Sequence, residues 1–162
     1  MSFGRLIAID HLRPHLTPSA PAGSLLVPYG TTKSLLLRFD SDTTKLALPL
    51  DALQKGAFVG INVAGRHEPA LVLEEWTLRV DPESAYNAFG GSPEPGEVFV
   101  TTNMTGFVGS LDRFTAYVTT DGRLVSEPDW GSDQFIGFRR WSVGYQEEDR
   151  WIDLLPAQDL AG

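Results

Sequence analysis

Arg113-Phe114-Thr115-Ala116-Tyr117-Val118-Thr119-Thr120-Asp121-Gly122-Arg123-Leu124-Val125-Ser126 is the stretch that decides the fold. Side chains along a strand point alternately to its two faces, so Phe114, Ala116 and Val118 share one face. Thr115, Tyr117 and Thr119 share the other. Asp121-Gly122 is a preferred pair for a type I′ turn, whose two central residues both need positive φ. The stretch reads as a β-hairpin, with residues 113–120 paired against 123–126.

The same period recurs on both sides. Leu35, Leu37 and Phe39 align on one face of residues 34–39, and Leu46, Leu48 and Leu50 on one face of 45–50. The polar turn at residues 40–43 joins them into a second hairpin. Pro49 belongs at a strand end or an edge, because it has no N–H for the ladder. Residues 57–63 form a short apolar run. Residues 70–80 read as one long strand with Trp76, Leu78 and Val80 on one face. Residues 97–101 and 106–110 flank Asn103-Met104-Thr105 as a further hairpin.

Residues 134–145 change phase. Ile136 and Phe138 have one parity; Trp141, Val143 and Tyr145 have the other, with Arg139-Arg140 at the switch. A β-bulge there restores the register. Residues 148–155, carrying Trp151, form the last strand. Helix signals are few. Asp81 as cap, Pro82 at the first helical position and Gly90-Gly91 as stop predict a helix over 82–89. Residues 51–55, closed by Gly56, predict a single helical turn.

These segments predict a mainly β fold: an antiparallel β-sandwich or barrel of about ten strands with one or two short helices. The alternative is an α+β arrangement with one helix packed on an antiparallel sheet. The 162 residues form a single domain, with a Gly/Pro loop at 90–96 that is too short for a linker.

Composition excludes several function classes. The chain has no cysteine, which removes disulfide scaffolds, thiolate metal sites and thiol catalysis. Its apolar runs are far shorter than a bilayer span. The run before Asp10 is too short for a signal peptide, so the expected compartment is the cytoplasm. The excess of arginine over lysine points to a GC-rich bacterial or phage genome through codon usage. The net charge is −8, and its distribution is uneven. Residues 1–80 hold eight basic and seven acidic side chains; residues 81–162 hold five and fourteen. Such a chain is repelled by phosphate backbones and drawn to basic partners.

No catalytic, cofactor or metal motif stands out. His11 and His15 have helical i, i+4 spacing, but neither they nor His67 has a third ligand at a diagnostic distance. No Gly-x-Ser-x-Gly elbow occurs. Gly60 and Gly65 have the glycine spacing of a Walker loop, but Arg66-His67 stand where it needs Lys-Ser/Thr. Glu74-Glu75 precede Trp76, as in sugar-cleaving sites. Adjacent strand residues face opposite ways, so each needs a separate partner such as Glu97 or Asp112.

The remaining signal lies in residues 130–151, which interleave aromatics, arginines and acids. Trp, Tyr and Arg supply hot-spot energy at protein interfaces. Trp130, Asp133, Arg139, Arg140, Trp141, Tyr145, Glu147, Glu148 and Asp149 are therefore the candidate partner-binding residues. The leading reading is a non-enzymatic acidic binding protein, an immunity-type inhibitor or similar interaction module with a basic protein partner. It needs no cofactor, metal, nucleic acid or membrane. The alternatives are a ligand-binding β-barrel with an aromatic-lined pocket and a small β-fold enzyme that uses scattered carboxylates.

Overall fold

A computed structural model describes residues 7, 9–30, 33–56, 60–66, 68–87, 92–111, 114–125 and 135–158. Its strands are β1 (Leu12–Leu16), β2 (Leu25–Val27), β3 (Leu36–Asp40), β4 (Lys45–Pro49) and β5 (Ile61–Asn62). Then come β6 (Pro69–Leu73), β7 (Thr77–Val80), β8 (Ala85–Tyr86), β9 (Val98–Thr101) and β10 (Thr105–Leu111). The last are β11 (Phe114–Thr119), β12 (Leu124–Val125), β13 (Phe135–Phe138), β14 (Trp141–Glu147) and β15 (Arg150–Leu155). One short helix, α1 (Leu50–Gln54), follows β4. Among the described residues no helix is long and apolar enough to cross a membrane.

The strands form three antiparallel sheets. Their orders are β1-β6-β2-β3-β4-β5, β12-β11-β10-β9-β13-β8 and β15-β14-β7. The fold is thus a β-sandwich with one short helix, as the period-two reading predicts. All three sheets feed one core. Leu37, Phe39 and Leu48 come from the first, Phe107 and Val118 from the second, and Trp141, Val143 and Leu154 from the third. Burying each such side chain stabilises the fold by about 1.5–3 kcal/mol. Gly109 lies where the first two sheets approach, with the Leu48 side chain 3.2 Å from where a Cβ would stand.

Two features of the hydrophobic pattern turn out to be corners. The residue 70–80 run is not one strand. It breaks at Glu74–Trp76, where the chain leaves β6 in the first sheet for β7 in the third. The phase change at Arg139-Arg140 is the same event: β13 pairs with β9 and β8, whereas β14 pairs with β15 and β7. A strand that changes sheets must flip its inward parity, just as a bulge does. The real bulge lies between Val143 and Gly144.

Other expectations are corrected. The strands outnumber the sequence estimate because β2, β5, β8 and β12 have three residues or fewer and carry little periodicity. The helix expected over 82–89 is only a 3-10 turn, Pro82–Ser84. Asp81 caps it, its Oδ1 accepting from the Glu83 N–H at 3.0 Å. Ala85–Tyr86 is then captured as an edge strand by β13. Phe114 has the expected parity but is 76% exposed, because the start of β11 overhangs the core. Tyr117 and Thr119 are buried on the reverse face, where Tyr117 packs with Phe99 and Val108 in a second small core. Arg38, between Leu37 and Phe39, is 1% exposed and paired with Asp40 at 2.7 Å, so β3 is buried on both faces.

The hairpin expected over 113–126 forms between β11 and β12, with residues 113 and 126 outside the described residues, but not through a type I′ turn. Thr119 accepts from the Gly122 N–H at 2.9 Å and donates to the Arg123 carbonyl at 2.9 Å. Gly122 has φ +87, while Asp121 is not in the positive-φ region. This is a three-residue loop ending in a left-handed glycine, the next most common hairpin type.

Candidate functional site

The third sheet carries the acidic turn named by the sequence. Glu147 pairs with Arg150, leaving Glu148-Asp149 as the loop between β14 and β15. Glu148 has φ 51, the only positive φ at a non-glycine residue among the described residues. That region strongly favours Gly, Asn or Asp, so Glu148 sits there against its local preference. Glu148, Asp149 and Arg150 are exposed; Glu147 is half-buried. Its Oε2 accepts from the Tyr145 hydroxyl at 2.9 Å, and its Oε1 lies 3.9 Å from Arg150 Nη2.

The outward face of the same sheet holds an aromatic–cation pair. Gly144 leaves room for the Trp151 ring, which any Cβ there would meet. The Arg79 guanidinium lies over that ring at 4.5 Å. Trp151 Nε1 donates to Asp153 Oδ1 at 2.7 Å. Stacked cations contribute about 0.5–1 kcal/mol at exposed sites and more when a partner desolvates them. Thr77 pairs with Gly144, so exposed Glu75, just before β7, lies at the turn end of this sheet. Arg79, opposite Ser142, thus reaches along the outward face to Trp151, while Glu75, Glu148 and Asp149 lie at the turn end.

The nine candidate residues do not all meet. Glu147, Glu148 and Asp149 stay together. Trp141 and Tyr145, expected as partner anchors, are 0% and 2% exposed; inward parity on β14 makes them core. Tyr145 instead meets His11 at a tilt, with ring centroids 5.1 Å apart. Arg140 is a clamp, 3.3 Å from Asp81 Oδ2 and donating to the Gln158 carbonyl at 2.9 Å. Arg139 lies on the outer face of the second sheet, over the Tyr86 ring at 4.6 Å. Trp130 and Asp133 lie outside the described residues, as do His67 and Asp112. The sequence reading missed Trp151 and Arg79 as a pair. Their outward parity was legible, but their pairing depends on β7 lying beside β14.

Around Arg139 stands a closed carboxylate cluster. Glu97 Oε2 is 3.4 Å from Arg139 Nε, and Glu97 Oε1 accepts from the Tyr86 hydroxyl and from the Glu94 N–H at 2.6 Å. Burial, then the bond to Glu97, pushes the Tyr86 hydroxyl above its ordinary range, so it stays a neutral donor. The Tyr86 ring covers Gly137, where a Cβ would come within 2.6 Å of it. Both Glu97 oxygens are engaged, so the cluster pins edge strand β8 to β13. The helical spacing of His11 and His15 is not realised: His11 ends a 3-10 turn and His15 pairs with Ala70 on β1. Among the described residues no three His, Asp or Glu side chains gather as a metal site.

The chain belongs to the family described as Uncharacterised protein y4lG, whose model matches residues 16–161. No curated protein and no solved structure matches the chain.

Proposed function

We propose that this member of the y4lG family is a non-enzymatic bacterial binding protein of the cytoplasm. It engages a basic protein partner, in the manner of an immunity-type inhibitor, through the acidic turn end of its third sheet. The observation that carries this reading is Glu148 at φ 51. A glutamate there is strained and stands between two further acids, so both backbone preference and charge repulsion oppose it. Local rules broken at one exposed position mark a site kept for something other than stability. The acidic excess speeds encounter with a basic surface, and Trp151 with Arg79 supplies hot-spot side chains beside it.

Glu148→Gly is expected to relieve the strain and raise stability by about 1 kcal/mol. That corresponds to a gain of about 2–4 °C in melting temperature for a chain of this size. Thermal denaturation followed by circular dichroism checks it; a lowered melting temperature would show that Glu148 makes a stabilising contact.

The reading is tested with the Glu148→Lys/Asp149→Lys variant as bait beside the wild type, in host lysate at low and high salt. The expected result is a basic protein held stoichiometrically by the wild type at low salt, released as salt rises, and lost from the variant. Its association rate constant with the purified chain should fall with ionic strength. Equal retention by the variant at low salt, with an unchanged melting temperature, would remove this surface from the proposal.

A further inference from the structure

Beyond the acidic face, at the end of the sandwich where two hairpin turns meet the β6–β7 corner, lies a polar groove. Two adjoining depressions of about 560 and 340 Å³ share Thr105, Thr120 and Asp121. One runs on to Glu74, Trp76 and Thr77; the other to Thr102, Asn103 and Arg123. The β9–β10 turn, the β11–β12 turn and the Pro21–Ser24 segment build its walls. The Thr120 N–H donates to the Thr105 carbonyl at 3.0 Å, which fixes the two turns side by side.

Its polar groups fall into two kinds. The Asp121 carboxylate is spent: it accepts from the Thr119 hydroxyl and lies 3.2 Å from Arg123 Nε. The Thr119 bond first, then Arg123, hold its carboxyl below the usual range. Thr77, Thr102, Asn103, Thr105 and Thr120, by contrast, have side chains with no hydrogen-bond partner among the described residues. Each hydroxyl can donate and accept, and the Glu74 carboxylate adds an acceptor. Trp76 supplies an apolar, rigid wall. Its Nε1 donates to the Gly23 carbonyl at 2.7 Å, and Phe107 stacks against it at 6.4 Å.

We infer that this groove is a binding site for a neutral, hydroxyl-rich ligand of the saccharide class. The charge balance selects the class. Glu74 and Asp121 against Arg123 leave a net −1, which repels anions, and the pairing of Asp121 with Arg123 leaves one free carboxylate for any cation. A saccharide offers donors and acceptors in both directions to the free threonines, and its C–H faces suit the Trp76 wall. The indole is held before the ligand arrives, which removes an ordering cost.

The probe is a panel of neutral tetrasaccharides (malto-, cello-, xylo- and chito-), measured with the full chain by saturation-transfer NMR and titration. Thr105→Val/Thr120→Val removes two groove hydroxyls while keeping their shape. The expected result is saturation transfer to at least one panel member, with affinity weakened about tenfold or more in the variant at an unchanged melting temperature. N-acetylarginine amide, run alongside, should show no transfer. No transfer to any saccharide overturns the inference, as does transfer that the variant leaves unchanged. Transfer to the arginine probe with none to the saccharides reassigns the groove to a basic side chain and overturns it equally. None of these outcomes bears on the acidic turn, because the variant leaves Glu148 and Asp149 in place.

Discussion

Trp141→Ala is expected to lower stability by about 3–5 kcal/mol, the range for deleting a large buried aromatic. That is a fall of about 6–20 °C in melting temperature for a domain of this size. Trp141 is 0% exposed and meets Phe107 edge-on at 5.2 Å, joining the second and third sheets. Its Nε1 donates to the Gly96 carbonyl at 3.0 Å, and its own carbonyl accepts from Gln54 of α1 at 2.9 Å. Truncation leaves a cavity and strips the half-buried Gly96 carbonyl of this donor. Trp151→Ala provides the contrast. Trp151 is half-buried on the outward face, so its loss should cost about 1 kcal/mol of stability and weaken partner binding more. Denaturant melts of both variants decide the matter. A Trp141 variant that melts like the wild type would return that residue to the partner surface.

The second large effect is expected at Gly122. It has φ +87, and an added Cβ would overlap the Gly23 nitrogen and stand 2.6 Å from the Ala22 carbonyl carbon. Gly122→Val therefore combines a β-branched side chain at positive φ with a clash between two backbones. Each component costs about 1–3 kcal/mol, so the variant should lose about 2–6 kcal/mol. Gly56 separates the two causes. It has φ +81, but nothing lies within 4 Å of an added Cβ. Gly56→Val should show the backbone component alone. Equal losses at the two sites would mean that the packing of the Gly122 hairpin tip on Ala22-Gly23 is absent in solution, leaving only turn strain.

The clash at Gly122 shows how tertiary contacts reuse a local signal. Asp121-Gly122 marks a turn from sequence alone, and a turn is there. The Gly122 carbonyl also accepts from the Asp40 N–H at 2.8 Å, and the Gly23 N–H donates to the Arg38 carbonyl at 2.7 Å. The tip is thereby stitched to the first sheet. No periodicity announces such a bond, because its partners are some eighty residues apart in the chain. The acidic turn has the same history. Glu148 and Asp149 were legible as an exposed turn from their charges, and half-buried Glu147 ends the strand before it. Glu75, Arg79 and Trp151 join them only because β7 crosses from the first sheet to lie beside β14.

Alternation by itself determined that the chain is β, which hairpins form, and that Leu35, Leu37, Phe39, Leu46, Leu48, Ala116 and Val118 lie inside. Composition alone determined the acidity and the absence of thiol chemistry. These follow because strand period and side-chain type act within a few residues. Tertiary structure decided the rest. A parity flip looks the same in sequence whether the strand bulges or changes sheets, so only the packed molecule shows Arg139-Arg140 as a corner. Inward parity also does not say where the neighbouring layer ends. That is why Trp141 and Tyr145 are core while Phe114, with an equally regular pattern, stands in solvent: burial is set by what the opposite sheet covers.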